Sequence, residues 1–393
     1  MTLPATQPWK DLGDRIWDAA IVGAGPAGAV AARELARRGL TVLLVDKSTF
    51  PRWKVCGCCL NGAALATLQS VGLGDLGRRL HAVPLTQTRI AARGAEATVA
   101  FPEGIALSRS ALDAALIGAA VDAGASFQPG TLAQISCEPQ ETRTIHLCQP
   151  HLETRIMARV VLAADGLAGR ALTAESNLKA HTPKASRIGA GAVADDAPAF
   201  YLPGTIFLAC GPGGYLGLVR LEDDRLDLAA ALDPAHTRAG GGPGAVAEAI
   251  LRDVGWPRIP SLPKIAWRGT PPLTCTPMRL AEKRLFLLGD AAGYVEPFTG
   301  EGMAWAMASA VAVAPIAAEA ARCWTPALIG EWTRRYGQCV GQRQRICRWL
   351  ARGLRHPLLI RVVLNSLTRW PGLATPLLHR LNAPSSSLEG IAS

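Results

Sequence analysis

The stretch WDAAIVGAGPAG (residues 17–28) decides the fold. Its apolar half predicts a buried strand, and the alanine-rich segment from Pro26 to Arg38 predicts a helix. The glycines between them have the G-x-G-x-x-G spacing of a dinucleotide-binding turn. Gly23 permits the tight turn, Gly25 lets the backbone approach a pyrophosphate, and Gly28 lets the helix pack on the strand.

A second apolar strand follows, from Thr41 to Val45, and ends at Asp46. Asp46 stands 18 residues after Gly28, where a carboxylate can accept hydrogen bonds from ribose hydroxyls. The N–H groups at the start of the helix, around Ala27, add a partial positive charge for the phosphates. The first strand, the glycines, the helix, the second strand and the acid follow one another in the order and at the spacing of a dinucleotide-binding unit. The sequence therefore predicts a Rossmann-type site, with Lys47 beside it.

A related arrangement recurs late in the chain. Arg284 to Leu288 predict a strand that ends in Gly289-Asp290, and a glycine-rich loop then leads into a helix. An acid after a buried strand can accept a hydrogen bond from a ribityl hydroxyl, and a helix N-terminus can face the electron-rich edge of a flavin. The cofactor contacts predicted in this segment are Gly289, Asp290, Pro297, Gly300, Gly302 and Met303.

Together the two motifs resemble the FAD-binding signature of the p-hydroxybenzoate hydroxylase-like superfamily. That superfamily includes aromatic monooxygenases, flavin-dependent halogenases and geranylgeranyl reductases. Ser108-Arg109 and Asp165-Gly166 are similar to further landmarks of the superfamily, and PRWKVCG (residues 51–57) resembles a loop of the geranylgeranyl reductase branch. The resemblance implies FAD as cofactor, held by Arg109 near the phosphates, by Asp165, and by Cys56 and Gly57 beside the isoalloxazine.

The resemblance also implies an α/β fold in which a Rossmann-type FAD-binding domain is interleaved with an α+β insert, an antiparallel-sheet substrate domain. The FAD-binding domain would comprise residues 1–82, 102–170 and 273–330. The substrate domain would comprise residues 83–101 and 171–272, and residues 331–393 would form a C-terminal helical segment. Alternating hydrophobicity predicts a small meander over residues 126–162, appended to the nucleotide sheet.

In the predicted substrate domain, residues 214–221 and 225–232 predict a β-hairpin. Gly214-Tyr215 resembles a substrate-domain strand of the reductase branch. Tyr215 and Arg220 are therefore candidates to line the substrate side of this sheet. Lys54, in the loop before Cys56, is a candidate for an electrostatic role, in which its charge pairs with FAD oxygens or with Asp46.

The sequence Cys56-Gly57-Cys58-Cys59 is the most unusual chemical feature of the chain. Cys56 matches a cysteine of the reductase branch, and Cys56 and Cys59 have CxxC spacing at a predicted helix start, where a thiolate is stabilised. Three interpretations stay open: packing against the flavin, a thiol that orients substrate or gives a proton, and a redox-active disulfide. Because no second ligand pair has suitable spacing, no metal site is predicted.

The net charge of +10 is concentrated at one end of the chain. Residues 331–393 contain ten arginines, no lysine and two glutamates, a net charge of +8 that leaves +2 for the first 330 residues. The arginines alternate with apolar residues in a basic amphipathic helical pattern that breaks near Pro357. Two interpretations stay open: a solvated helix face, and a surface for anionic lipid or an acidic carrier. Nucleic acid is not expected, because no binding motif accompanies the charge.

Composition and hydropathy bound the class of protein. With 49% hydrophobic and 18% charged residues, the chain is not largely disordered. Neither a membrane-spanning run nor an apolar signal core is expected. We expect a cytoplasmic protein, with residues 331–393 as the candidate for peripheral attachment to the inner face of the membrane.

The sequence thus predicts an FAD-dependent oxidoreductase that acts on an apolar isoprenoid, lipid or polyketide-like substrate, free or carrier-bound. The preferred reaction is C=C reduction by hydride from flavin N5, with electrons from NAD(P)H or a reduced-flavin or ferredoxin donor. The alternative is a monooxygenase or halogenase that uses a C4a-hydroperoxide. The GWxWxIP motif of tryptophan halogenases is not reproduced by GWPRIP (residues 255–260).

Overall fold

The computed structural model describes residues 2–136, 141–172, 178, 180–296, 300–353 and 355–382. The strands in these ranges are β1 (Ile16–Val22), β2 (Val42–Val45), β3 (Cys59–Asn61), β4 (Val83–Pro84), β5 (Gln87–Ala92), β6 (Ala95–Ala100), β7 (Gly104–Ala106), β8 (Ser126–Gln128), β9 (Leu132–Ile135), β10 (Arg143–Gln149), β11 (Leu152–Ala163), β12 (Ala180–His181), β13 (Ile188–Ala194), β14 (Thr205–Gly211), β15 (Gly214–Arg220), β16 (Leu226–Leu232), β17 (Arg268–Pro272), β18 (Thr276–Pro277), β19 (Ala281–Glu282) and β20 (Leu285–Leu287). The helices are α1 (Pro26–Ala36), α2 (Gly62–Ser70), α3 (Leu76–Arg79), α4 (Arg109–Asp122), α5 (Pro234–Ala239), α6 (Pro243–Val254), α7 (Gly302–Arg322), α8 (Ala327–Tyr336), α9 (Gln342–Gly353), α10 (Pro357–Arg369) and α11 (Thr375–Asn382).

The nucleotide sheet is built around β1. Its order is β19-β20-β11-β1-β2-β8, and β1, β2, β8, β11 and β20 run parallel. Buried alanines, with Val30 and Leu35, fill α1, which packs against α7 and α4 as well as the sheet. Gly28 has no room for a side chain, because an added Cβ would overlap the carbonyl oxygen of Gly23. The predicted Rossmann-type domain is confirmed.

A second sheet carries the strands of the predicted substrate domain, in the order β17-β13-β16-β15-β14-β5-β6. It is antiparallel except at one pair, since β5 runs parallel to β14. The predicted hairpin is confirmed as β15 and β16, paired from Gly214 with Leu232 to Arg220 with Leu226. One face of this sheet packs on α6, and the other faces the nucleotide domain. The residue boundaries of the two domains stay a prediction.

Two local predictions were wrong. Residues 126–162 do not form one appended meander, because β8 joins the parallel edge of the nucleotide sheet and β11 lies at its centre beside β1. Only β9, β10 and the start of β11 form an antiparallel meander. Cys59 does not begin a helix but a strand, β3, and α2 begins at Gly62 with Asn61 as its N-cap.

The C-terminal helices divide into an inner and an outer part. Trp332, Tyr336 and Val340 are buried in the same core as the nucleotide sheet. By contrast, α10 begins at Pro357 and packs outside, on β5 and β6 of the second sheet. Among the described residues, α7 is the one helix long and apolar enough to cross a membrane. Because 89% of its apolar window is buried and it packs against α1 and α2, α7 is a core helix.

Candidate active site

The glycine-rich turn after β1 forms an open cradle for an anion. Gly23 has φ +103°, a left-handed conformation that favours glycine, and its N–H bonds to the carbonyl of Val45. No side chain caps the start of α1, so its first N–H groups remain available to a ligand. Gly25, Pro26 and Ala27 line the large cavity described below. The turn therefore has the form that a pyrophosphate requires.

Two arginines lie in front of this helix end. A Cβ on Gly25 would lie 3.6 Å from Nη2 of Arg109 and 3.8 Å from Nη2 of Arg52. Arg109 begins α4 and donates two hydrogen bonds of 2.8 Å to Asp113, while Arg52 lies 3.4 Å from the same carboxylate. The Nε of Arg52 is buried and has no hydrogen-bond partner among the described residues. The pair leaves one unneutralised positive charge facing the cradle.

Asp46 closes the other side of the turn. Its Oδ2 accepts a hydrogen bond of 2.8 Å from the N–H of Ala24, and its Oδ1 accepts one of 2.8 Å from the N–H of Ser48. A small depression at the end of β1 and β2 is lined by Asp46, Lys47 and Asp165. Lys47 is exposed at its rim. This depression lies at the carboxyl ends of parallel strands, where ligands of open α/β sheets bind.

The second glycine motif packs directly on the first. Gly289 has φ +59°, and a Cβ there would lie 2.9 Å from Cβ of Ala27. Asp290 follows in a short turn, 3.9 Å from Nζ of Lys54. Lys54 was expected to pair with FAD oxygens or Asp46, and its carboxylate partner in the structure is Asp290. Burial and the positive charge of Arg109 lower the pKa of Lys54.

The start of α7 completes this side of the cradle. Gly300, with φ +75°, Gly302 and Met303 line the cavity. Pro297 lies outside the described residues. Glu301 is fully buried, and burial raises its pKa to about 7 although Trp305 donates a hydrogen bond of 3.0 Å to Oε2.

These features fit an FAD molecule. The two glycine motifs meet back to back, one buried guanidinium nitrogen has no hydrogen-bond partner among the described residues, and two helix N-termini face one space. By this fit, Gly23, Gly25, Ala27, Gly28, Asp46 and Arg109 would hold the adenosine diphosphate part. Lys54, Gly57, Asp290 and the start of α7 would surround the flavin part.

The cradle opens into a mostly apolar cavity, and the two together enclose about 240 Å³. Aliphatic and aromatic side chains of the second sheet form one wall, among them Ile90, Val99, Ile206, Leu208 and Val219. Glycine and alanine of β15 and β16, in the same sheet, leave space beside these side chains, and the loop of residues 54–59 forms the facing wall. Such a cavity accepts an apolar ligand and excludes water.

The thiol of Cys56 is polarised by its neighbours. A hydrogen bond from Cys58 and the charge of Arg109 outweigh burial and lower the pKa of Cys56 to about 6. The hydrogen bond with Cys56, and then burial, raise the pKa of Cys58, and burial raises that of Cys59. Cys59 donates a hydrogen bond of 3.0 Å to the carbonyl of Gly57. The thiolate is therefore stabilised by a cation and a thiol, and not by a helix end as the sequence had suggested.

The two predicted substrate residues have different places. Tyr215 lines the cavity, with the guanidinium of Arg187 5.6 Å from its ring centre. Arg220 points elsewhere: its guanidinium donates to the carbonyls of Tyr201, Ala197 and Pro198. Arg220 thus ties the hairpin to a neighbouring loop and does not reach the cavity.

Sequence reasoning missed three buried polar features near the site. Arg52 belongs to the loop of residues 51–57, but the sequence did not mark it as a cofactor residue. Arg187 forms a buried ion pair of 2.9 Å with Glu296 beside Tyr215. Asp227 lies among the thiols, and the signal for it was an isolated carboxylate in the otherwise apolar strand β16.

Comparisons with known proteins agree with this site. Residues 17–205 match the family described as FAD binding domain. A segment of 156 residues is 35% identical to Menaquinone reductase of Mycobacterium tuberculosis (strain ATCC 25618 / H37Rv), over 38% of this chain and 37% of that protein. Over 353 residues the chain is 26% identical to Digeranylgeranylglycerophospholipid reductase 1 of Methanothermobacter thermautotrophicus, covering 84% of this chain and 82% of the relative.

The solved structure of the flavin-dependent brominase Bmp2 has the same fold, with a TM-score of 0.77 over 94% of each chain at 16% identity. Coverage of curated relatives varies. For several of them the chain spans only 37% to 62% of the relative's own length.

Proposed function

We propose that this chain reduces carbon–carbon double bonds in an apolar isoprenoid, lipid or polyketide-like substrate. The chain is an FAD-dependent oxidoreductase, and its residues 17–205 belong to the FAD binding domain family. The observation that carries the proposal is the apolar cavity that opens beside both FAD motifs and reaches Cys56. Bound FAD would supply a hydride from N5. The chain's own residues bind the alkene, exclude water and supply a proton.

The walls of the cavity favour a hydrocarbon ligand. Val99, Phe101, Ile206 and Leu208 present aliphatic and aromatic surface, and burial of such surface stabilises an apolar ligand by about 25 cal/mol per Å². The small residues of β15 and β16 leave room for a planar group between the sheet and the loop of residues 54–59. A substrate without charge loses little hydration free energy on entering.

Cys56 supports a role in proton transfer. Hydride addition to one carbon of an alkene must be followed by protonation of the other. Cys56 lines the cavity, and Arg109 stabilises its thiolate after the proton leaves.

Two curated relatives guide the choice of substrate. One is named for menaquinone and the other for a digeranylgeranylglycerophospholipid, and both names denote molecules with isoprenoid chains. The alignment with the second relative extends over most of both chains. We infer that an isoprenoid chain is the part that enters the cavity.

Product analysis tests the reaction. The FAD-loaded chain is reduced anaerobically, with NAD(P)H, reduced ferredoxin or free reduced flavin compared as donors by loss of flavin absorbance. Menaquinone or digeranylgeranylglycerophospholipid in detergent micelles is then added, and a product heavier by hydrogen alone is expected. With menaquinone the added hydrogen must remain after the quinol ring has been reoxidised in air, because only a reduced side chain keeps it. The chain shares its fold with a brominase, so the alternative function is that of a monooxygenase or halogenase. A product that gains oxygen or halogen under air would contradict our proposal and support this alternative.

We propose further that α10 and the residues around it bind an anionic membrane surface, from which such a substrate would enter. Leu364, 2% exposed, packs α10 inward against the second sheet. The opposite face of the helix leaves Leu358 77% exposed and Val362 63% exposed, and Trp370 beyond its end is 59% exposed. Exposed arginines of the segment, including Arg361 and Arg369, complement anionic headgroups.

The same segment reaches the cavity, since Leu378 of α11 lines it. A membrane bound at α10 would therefore lie close to one wall of the substrate space.

Vesicle co-sedimentation tests this surface. Leu358→Asp is expected to reduce binding to vesicles that contain phosphatidylglycerol. Leu202→Asp, at a residue 57% exposed in the loop before β14, is the matched control and should bind as the unsubstituted chain does. Equal binding by both variants would contradict a membrane-binding role for α10.

A further inference from the structure

Thr88 is a buried threonine in the apolar wall that the second sheet presents to the cavity. It lies on β5, is 6% exposed and lines the cavity. Its partners in register are Val99 on β6 and Ile206 on β14, and both of them line the cavity as well. Because residues directly opposite one another in a sheet share a face, the side chain of Thr88 points into the cavity between two hydrocarbon side chains.

The hydroxyl group of Thr88 forms no hydrogen bond with another described residue. The other threonine that lines the cavity, Thr270, has two bonds: its hydroxyl accepts one of 2.9 Å from the N–H of Gly189 and donates one of 2.7 Å to the carbonyl of Pro271. Buried hydroxyl groups nearly always have a partner, because burying one without a hydrogen bond costs free energy. Valine has the same shape as threonine and would fill this place without that cost. A ligand that supplies the missing partner accounts for the threonine.

Beside Thr88, a row of hydrocarbon surface crosses the sheet from strand to strand. Its members are register partners on β5, β14, β15 and β16, and all of them line the cavity: Ile90, Leu208, Gly217 and Ala229. A Cβ on Gly217 would lie 3.4 Å from the carbonyl oxygen of Ala229, which is an ordinary contact. The glycine therefore leaves space that the sheet itself does not require. The wall thus offers one hydroxyl group next to an extended hydrocarbon surface.

We propose that Thr88 binds an oxygen atom of the substrate, so that the site selects an isoprenoid with a hydroxyl or carbonyl group over a pure hydrocarbon. This inference rests on the proposed function for the isoprenoid part of the ligand. The hydroxyl of Thr88 can donate to a carbonyl oxygen or accept from a hydroxyl group. Strand β5 is one of the two strands of the sheet on which α10 packs, so the oxygen would be held on the side of the cavity nearest the proposed membrane surface. The hydrocarbon part would extend from there across Gly217 toward β16.

Two ligands that differ by one oxygen atom test this contact: farnesol, an isoprenoid alcohol, and farnesene, a hydrocarbon with the same number of carbons. Their binding to the FAD-loaded chain is measured by isothermal titration calorimetry in detergent micelles. Thr88→Val removes the hydroxyl and keeps the shape of the side chain, so we expect farnesol to bind about five-fold more weakly, as for loss of one hydrogen bond, and farnesene to bind as before. Thr88→Ser keeps a hydroxyl and should retain farnesol binding. Thr98→Val, at an exposed threonine on β6, is the matched control and should bind both ligands as the unsubstituted chain does.

A second variant, Gly217→Val, should give a different pattern. Its side chain would occupy the hydrocarbon part of the cavity, so binding of farnesol and of farnesene should be lost together, while flavin absorbance shows that FAD is retained. Loss of FAD from this variant would overturn the proposal, because the flavin and not the substrate would then lie across Gly217.

The two ligands separate the remaining outcomes, and none of them depends on turnover. Equal affinity of Thr88→Val and the unsubstituted chain for farnesol would overturn the proposal, because the hydroxyl would then bond only to water. An equal loss of affinity for both ligands in Thr88→Val would overturn it as well, because the side chain would then serve only in packing. Binding of neither ligand to the unsubstituted chain would instead contradict the isoprenoid substrate of the proposed function, and with it the role of Thr88.

Discussion

The pKa of Cys56 offers a direct test of the site's electrostatics. The largest effect that lowers it is the hydrogen bond from Cys58, and the charge of Arg109 adds to it. The substitution Cys58→Ala removes the hydrogen bond and leaves the charge in place. We therefore expect the pKa of Cys56 to rise from about 6 while the thiol remains more acidic than an ordinary one.

The size of the shift follows from the strength of the bond. A hydrogen bond to a charged group stabilises it by about 1.5–3 kcal/mol, and a thiol is a weak donor, so the lower value applies. Since about 1.4 kcal/mol corresponds to one pKa unit, the pKa of Cys56 should rise by about one unit. At pH 6 the thiolate fraction would then fall from about one half to about one tenth, a roughly five-fold change.

Alkylation by iodoacetamide measures this fraction, because only the thiolate reacts. The rate at the Cys56 peptide is followed by mass spectrometry from pH 4.5 to pH 9, in the full chain freed of FAD. Cys148→Ala, at a distant cysteine on β10, should leave the midpoint unchanged. A midpoint above about pH 8 in the unsubstituted chain, or one that Cys58→Ala does not move, would refute this account of the thiol.

Three further predictions concern the cofactor and the fold. Gly28→Ala should abolish FAD binding, measured by flavin absorbance after purification, because its Cβ would overlap the Gly23 carbonyl; Gly118→Ala, in open space on α4, should keep FAD, and loss in both would contradict the argument. Glu301 has a pKa raised to about 7, so its folded form holds a proton that the unfolded form releases near pH 4.5, and stability falls as pH rises between these values. The free energy of unfolding, measured with urea on the holoenzyme at pH 5 and pH 8, should therefore fall by about 3 kcal/mol less in Glu301→Gln than in the unsubstituted chain. The same fall in both proteins would disprove this prediction. Arg220→Ala should lower the free energy of unfolding by about 1–3 kcal/mol, because carbonyl oxygens lose their donor, without changing FAD affinity.

The cofactor cradle could be predicted because its rules are local. A helix that follows a strand so closely needs a glycine at residue 28, since the carbonyl of Gly23 occupies the place of a side chain. The same holds for the left-handed backbone at Gly289. Steric requirements of this kind act between residues that are near in sequence, so the spacing of the glycines is enough to predict them.

The electrostatic partners could not be predicted in the same way. Lys54 pairs with Asp290, over 200 residues away, because the two motifs meet at one edge of the nucleotide sheet. Asp227 reaches the thiols through the packing of the second sheet on the first domain. Arg220 lies on the same strand as Tyr215 but at an odd spacing of five residues, which places the two side chains on opposite faces of β15. The alternation of side chains along β15 is enough to predict that Arg220 and Tyr215 lie on opposite faces. The family resemblance led instead to both residues being assigned to the substrate side.

Arg109 connects the cofactor cradle to the reactive thiol. Its guanidinium lies at the N-terminus of α1, where phosphates would bind, and its charge also lowers the pKa of Cys56. Negative phosphates at this position would offset part of that charge, so FAD loading should raise the alkylation midpoint of Cys56 above its value in the cofactor-free chain. The comparison uses midpoints and not rates, because a bound cofactor also slows access to the thiol. A rise would mean that a larger fraction of Cys56 is protonated once FAD is bound, as a proton donor requires. An equal or lower midpoint would mean that the cofactor phosphates do not affect the thiol, and that Arg109 serves only in cofactor binding.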